Sequence, residues 1–123
     1  MGSRLACMLM VPETPSKFLV LARASLNTLG SAVGYLTEDR VARITLDRPP
    51  LNVLNLEMLR ALLSALARAA DEPRLAAVWI RAQGKSFCAG VDVADHAPDR
   101  VGEMIPLFDA VCRRLATLPV PTV

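Results

Sequence analysis

Gly84-Lys85-Ser86-Phe87-Cys88-Ala89-Gly90-Val91-Asp92-Val93 follows an apolar, strand-like run, Ala76-Ala77-Val78-Trp79-Ile80, and precedes a segment of helical periodicity. Ala89 and Gly90 fall where the strand must turn. Residues this small leave the backbone bare, so a ligand can approach its N–H groups closely. The segments on either side decide what sheet this loop belongs to.

Upstream, Leu75 to Arg81 is apolar almost throughout, the pattern of a strand buried on both faces. Before it lies a predicted helix reaching to about Ala70. Asn55 is suited to its N-cap, Glu57 stands in the first turn, and Leu59, Leu62, Leu63, Leu66 and Ala70 form one apolar stripe. Asp71-Glu72-Pro73 stops it. Earlier still, Val33–Leu36 and the alternating run Val41–Leu46 bracket the polar Thr37-Glu38-Asp39-Arg40, which predicts a hairpin with one buried face. Asp47-Arg48-Pro49-Pro50 ends the second strand, because neither proline can donate to a sheet ladder. Strand, helix and strand in this order imply a parallel crossover. Ligands of such sheets sit beyond the carboxyl ends of the strands, which is where Gly84–Val93 lies.

Downstream, Pro98-Asp99-Arg100 can open another helix. Val101, Met104, Ile105, Phe108, Val111, Cys112 and Leu115 recur at three- and four-residue spacing, and the pattern survives Pro106, which kinks or divides it. Apolar periodicity marks burial first, so these positions read as core. Leu118-Pro119-Val120-Pro121-Thr122-Val123 closes the chain.

Two motifs carry a resemblance. Phe87-Cys88-Ala89-Gly90-Val91 and Arg48-Pro49-Pro50-Leu51-Asn52-Val53-Leu54 resemble the first oxyanion-hole segment and the "R-P-x-x-N-x-L" signature of the enoyl-CoA hydratase/isomerase, or crotonase, superfamily. The closing Pro119-Val120-Pro121-Thr122-Val123 resembles the run that starts that family's next core strand. The resemblance covers about residues 35 to 123. It implies an α/β, ClpP/crotonase-like fold of ββα-type repeats, with this chain holding the N-terminal part of an incomplete domain.

The resemblance also implies a chemistry. In the family two backbone N–H groups hold a thioester carbonyl oxygen and stabilise the enolate-like charge that develops beside it. Val91 would supply the first donor. Leu51, Asn52, Val53 and Leu54 would help form the pocket for CoA and cover the acyl chain. Ala89, Gly90, Val91, Asp92 and Val93 would line the thioester end, and Met104 and Phe108 could face the acyl group. The family's second donor and its catalytic glutamates would fall after Val123. The expected function is therefore that of an acyl-CoA-binding member, or fragment, serving hydration (lyase) or isomerisation of an enoyl- or dienoyl-CoA. No cofactor is expected beyond CoA as part of the substrate. Full-length members form trimers or pairs of trimers, with many contacts from parts that would follow Val123. Val91 to Asp99 further resembles the cyclic dienoyl-CoA hydratases of aromatic-acid degradation. The alternative is a truncated or split-enzyme module that binds CoA esters or a partner chain without catalysis.

Other candidates near the loop read more plainly. His96, the sole histidine, suits proton transfer by its chemistry, but a lone histidine is more often a surface or capping residue. Asp92 suits the acceptor role that aspartates play at turns. With His96 and Asp92, Asp95 completes the ionisable residues near the loop that offer acid/base chemistry. Cys88 has no His and Asn/Asp partners legible from spacing and reads as a small filler.

Composition bounds the rest. With 123 residues, 53% apolar and 21% charged, the chain fits one folded domain, and 4% aromatics favour Ala/Leu helix packing. A net charge of +2 with interspersed signs gives no footprint for nucleic acid. Cys7, Cys88 and Cys112 suggest neither zinc nor a disulfide framework, and point to a reducing, cytoplasmic setting. No metal site is expected, and no apolar run approaches the roughly 18 residues of a membrane span. Residues 1–34 read as a poorly ordered extension with one short helix around Phe18 to Leu26, not as a leader.

Overall fold

The computed structural model describes residues 32–123, so the reading of the N-terminal extension lies almost wholly outside the described residues. Three strands, β1 (Val33–Glu38), β2 (Val41–Leu46) and β3 (Ala77–Ala82), form one sheet in the order β1-β2-β3. The β1–β2 hairpin is antiparallel and pairs Glu38 with Val41 across a two-residue turn. Both turn residues lie in the left-handed region, Asp39 at φ 50 and Arg40 at φ 66. That is the primed geometry whose twist matches a hairpin. Arg40 takes it without glycine's freedom, and is tied down instead. Its Nε donates to the Arg74 carbonyl at 2.8 Å, and its own carbonyl accepts from Ala76 N–H at 2.7 Å.

Helix α1 (Leu56–Asp71) carries the chain from β2 back to β3, which runs parallel to β2 in the predicted crossover. Asn55 caps it as expected, its side chain accepting from Met58 N–H at 2.9 Å. Met58, Leu59, Leu62, Ala65, Leu66 and Ala69 form the buried stripe. They pack with Ala42, Ile44 and Leu46 of β2 and Val78 of β3 into one core. Each large apolar side chain buried there contributes about 1.5–3 kcal/mol. At the far end of α1, Tyr35 Oη donates to Glu72 at 3.2 Å while the Arg68 guanidinium lies 4.4 Å from the Tyr35 ring centre. These contacts fasten the helix end to β1.

A 3-10 turn (Val93–His96) and helix α2 (Val101–Ala116) follow. Thr122 then pairs in parallel with Val78, so the closing segment begins a strand on the free side of β3. Two burial expectations are corrected. β3 is covered on one face only: Val78 is buried, but Trp79 is 41% exposed, because no described element covers the face opposite α1. On α2 only Met104 and Val111 are buried, whereas Ile105 and Phe108 are exposed. The apolar arc of α2 is wider than the surface α1 offers it, and the surplus faces outward. No helix among the described residues is long and apolar enough to cross a membrane.

Candidate functional site

Two loops leave neighbouring parallel strands at their carboxyl ends. The first, residues 47–55, follows β2, and the second, residues 83–92, follows β3. Asn52 joins them. It is wholly buried, at φ 50, a conformation that asparagine tolerates better than most residues. Its Oδ1 accepts from Arg48 N–H at 2.7 Å, and its N–H donates to the Arg48 carbonyl at 2.8 Å. Its Nδ2 donates to the carbonyls of Gln83 at 2.9 Å and Ser86 at 2.7 Å. A buried amide that satisfies both donors in this way costs little to bury and holds both loops in one register.

Beyond that joint the loops pair as a short parallel bridge between Leu54 and Val91. Leu54 N–H donates to the Gly90 carbonyl at 2.8 Å, and Asp92 N–H donates to the Leu54 carbonyl at 2.8 Å. Ala89 N–H donates to the Leu51 carbonyl at 3.0 Å. In a parallel ladder the residue between two such bonds turns its own N–H the other way. Val91 N–H is therefore directed away from Leu54, and no described residue accepts from it. Gly90 enters the bridge at φ 119, which side chains rarely adopt, although a Cβ there would meet nothing within 4 Å. Glycine is needed here for its backbone, not for space.

Arg48, Pro49, Pro50, Leu51, Val53, Ala89, Val91, Asp92 and Val93 line an open cleft between the loops. Leu51 and Val93, both in its lining, remain exposed. Arg48 reaches across the base, donating to the Val53 carbonyl at 2.7 Å and to Asp92 Oδ2 at 3.0 Å. Ala94 N–H donates to Asp92 Oδ1 at 3.1 Å, and this bond, together with Arg48, holds the Asp92 carboxyl below its usual range. Asp92 thus takes the loop-holding role expected of it.

Of the residues singled out from sequence, Leu51, Val53, Ala89, Val91, Asp92 and Val93 meet at the cleft. Asn52, Leu54 and Gly90 lie behind them, where they position backbone and do not face the opening. Met104 is core. His96 is exposed with Nδ1 3.1 Å from the Asp92 carbonyl, and Cys88 is half-buried against the core. Asp95 has a role that spacing alone could not reveal. Buried, it accepts from Leu56 N–H at 2.8 Å and from Arg100 at 3.3 Å, so it caps α1 from 39 residues away. Arg48 was legible only as part of the proline-rich signature. Among the described residues no group of three His, Cys, Asp or Glu gathers as metal ligands do.

Comparison with known proteins gives these loops a context. Residues 41–110 match the family model described as Enoyl-CoA hydratase/isomerase. Cyclohexa-1,5-dienecarbonyl-CoA hydratase of Thauera aromatica is 33% identical over 79 residues, covering 64% of this chain and 31% of that protein. The peroxisomal bifunctional enzyme of Danio rerio is 36% identical over 77 residues, 62% of this chain and 11% of that one. Among solved structures, an enoyl-CoA hydratase of Mycobacterium smegmatis superposes with a TM-score of 0.68 at 28% identity, covering 75% of this chain and 38% of that one. An enoyl-CoA hydratase/isomerase family protein of Silicibacter pomeroyi gives 0.67 at 31% identity, with 73% and 39% covered. The match to the Thauera aromatica relative spans about a third of that protein's length.

Proposed function

Because the chain belongs to the enoyl-CoA hydratase/isomerase family and carries part of its crotonase fold, we propose that the cleft binds the thioester end of an acyl-CoA. Val91 N–H donates to the thioester oxygen in this reading. The observation that carries it is the Leu54–Val91 bridge, which turns that N–H away from its ladder partner and leaves it without an acceptor among the described residues. A preorganised backbone donor of this kind stabilises the charge that builds on the carbonyl oxygen when the neighbouring carbons react, and loss of one such donor costs about 2.7–4 kcal/mol of barrier. Leu51, Val53 and Val93 give the cleft apolar walls for the chain next to the thioester. An α,β-unsaturated acyl-CoA is the substrate class, with hydration or double-bond isomerisation as the reaction of the whole enzyme. No cofactor beyond the CoA of the substrate enters this reading, and the setting is a reducing cytoplasm in which Cys88 and Cys112 stay free.

The chain's own share of that reaction is binding and polarisation. Asp92 is a poor base, since Ala94 N–H and Arg48 both favour its ionised form. His96 does not line the cleft. No described residue that lines the cleft suits proton transfer, so in this reading the proton-transferring groups come from outside that lining. A module that binds CoA esters without turning them over is the second reading, favoured by the lack of a suitable base among the described residues that line the cleft.

Equilibrium titration of the purified chain with crotonyl-CoA and with CoA, alongside its mass in solution, tests the proposal. Saturable binding by a discrete species, tighter for the thioester than for CoA, is the expected result. Aggregation, or equal affinity for both ligands, would overturn it.

A further inference from the structure

We propose that Asn52 is a positioning residue for the carbonyl-polarising backbone, setting the direction of Val91 N–H through the two loops it joins. The part of this inference that concerns the thioester rests on the function proposed above. The part that concerns the loops does not.

An asparagine side chain offers two donors and two acceptor sites, and Asn52 uses both donors and one acceptor. Every bond goes to backbone, and the three partners lie on the two loops that frame the cleft. Arg48 is on the loop after β2, and Gln83 and Ser86 are on the loop after β3. Two residues further along, Leu54 makes the bridge that orients Val91. Asn52 therefore fixes the separation and register of the loops immediately before they pair.

No other described side chain could take over. Arg48 also spans the loops, but through a partly exposed guanidinium on a flexible stem, and it grips Asp92 on the far side of Val91. Main-chain bonds between the loops number three, the two of the bridge and Ala89 N–H to the Leu51 carbonyl, and a pair of strands this short keeps its register only where a side chain pins it. Asn52 is the buried pin. Its left-handed backbone adds a second reason for this residue type, and the two reasons can be separated by substitution.

Asn52→Gly keeps the left-handed backbone and removes the cross-link. Asn52→Asp keeps the size and the acceptor but turns a carboxylate toward two carbonyls with no proton to donate. The readout is amide hydrogen exchange of the ligand-free chain at Leu54 and Asp92, the two donors of the bridge, compared with Leu62 and Leu66 in α1. In both variants exchange at the bridge should quicken by about tenfold or more, the loss of roughly one hydrogen bond, while the α1 amides change by less than about threefold. Unchanged bridge amides, or an equal acceleration throughout α1, would overturn the inference. A merely structural role would give the second of these patterns. Failure of both variants to fold would do the same, by making Asn52 a requirement of the whole core.

A second readout joins the result to function. A cinnamoyl-CoA-type chromophoric thioester absorbs further to the red when its carbonyl is polarised. Wild type should shift it on binding, and the two variants should bind the ligand yet lose at least about half of the shift. If wild type itself produces no shift, the thioester reading fails, and the exchange data still decide the role of Asn52. If the variants keep the full shift, the positioning role fails instead.

Discussion

Arg48 and Asp92, 44 residues apart in sequence, meet at 3.0 Å across the base of the cleft. Both side chains are partly exposed, so the pair orders the loops more than it stabilises the fold. Asp92 has a lowered folded pKa, first through Ala94 N–H and then through Arg48. A carboxyl of this kind contributes fully above its ordinary value and loses that contribution as pH falls through the folded one. The contact is therefore whole at neutral pH and is lost in acid, below the ordinary value of 3.8. Asp92→Asn should be slightly less stable than wild type at neutral pH, and the difference should vanish on acidification through that range. Urea midpoints for both proteins across the acid range measure this; a difference that does not depend on pH would refute the account.

Val91 acts through its backbone, so its side chain should matter little. Val91→Ala is expected to bind a short enoyl-CoA within about twofold of wild type. Val91→Pro deletes the N–H and should weaken thioester binding by about tenfold or more, the worth of one hydrogen bond. Affinity for CoA, which has no carbonyl at that position, controls for local distortion. Equal losses for the thioester from both substitutions would remove Val91 from the proposed role.

Binding without turnover is the expectation for the chain alone. Purified chain should hydrate crotonyl-CoA no faster than buffer, because Asp92 is committed to its ion pair and His96 stands outside the cleft. Measurable hydration that disappears in His96→Ala would make His96 the proton-transferring group and reverse this assignment.

The elements around this site were legible because local chemistry and global fold agree there. The polar Thr37–Arg40 turn, the Asn55 cap and the Asp71-Glu72-Pro73 stop each mark a boundary by mechanism, and the boundaries lie within a residue or two of these marks. What stayed hidden depends on partners distant in sequence. Asn52 stands out in the sequence only as part of the Arg48–Leu54 signature and Asp95 looks like an ordinary loop polar, and only the folded chain shows one buried between two loops and the other capping α1. Trp79, Ile105 and Phe108 show the converse. Their spacing identifies an apolar face, but spacing contains nothing about which part of that face a neighbour covers.

Tyr35 offers a test of how α1 is fastened to the sheet. It is buried, its hydroxyl donates to Glu72 at 3.2 Å, and Thr37 Oγ1 donates to Glu72 at 3.2 Å beside it. Burial is the main cause that pushes the Tyr35 phenol above its ordinary value of 10.0, and the Glu72 carboxylate adds to it. A group whose folded pKa is raised contributes fully below its ordinary value and loses that contribution as pH rises through the folded one. Tyr35→Phe keeps the ring under Arg68 and gives up the hydroxyl. At neutral pH it should cost about 1 kcal/mol, the net worth of one hydrogen bond. Above pH 10.0 wild type should lose stability more steeply than the variant, because only wild type must then bury a phenolate or unfold to ionise. The two urea midpoints should converge there. Midpoints that stay parallel into alkali would mean that the hydroxyl reaches solvent and that α1 is held to β1 by the Arg68 contact and the Thr37–Glu72 bond without it.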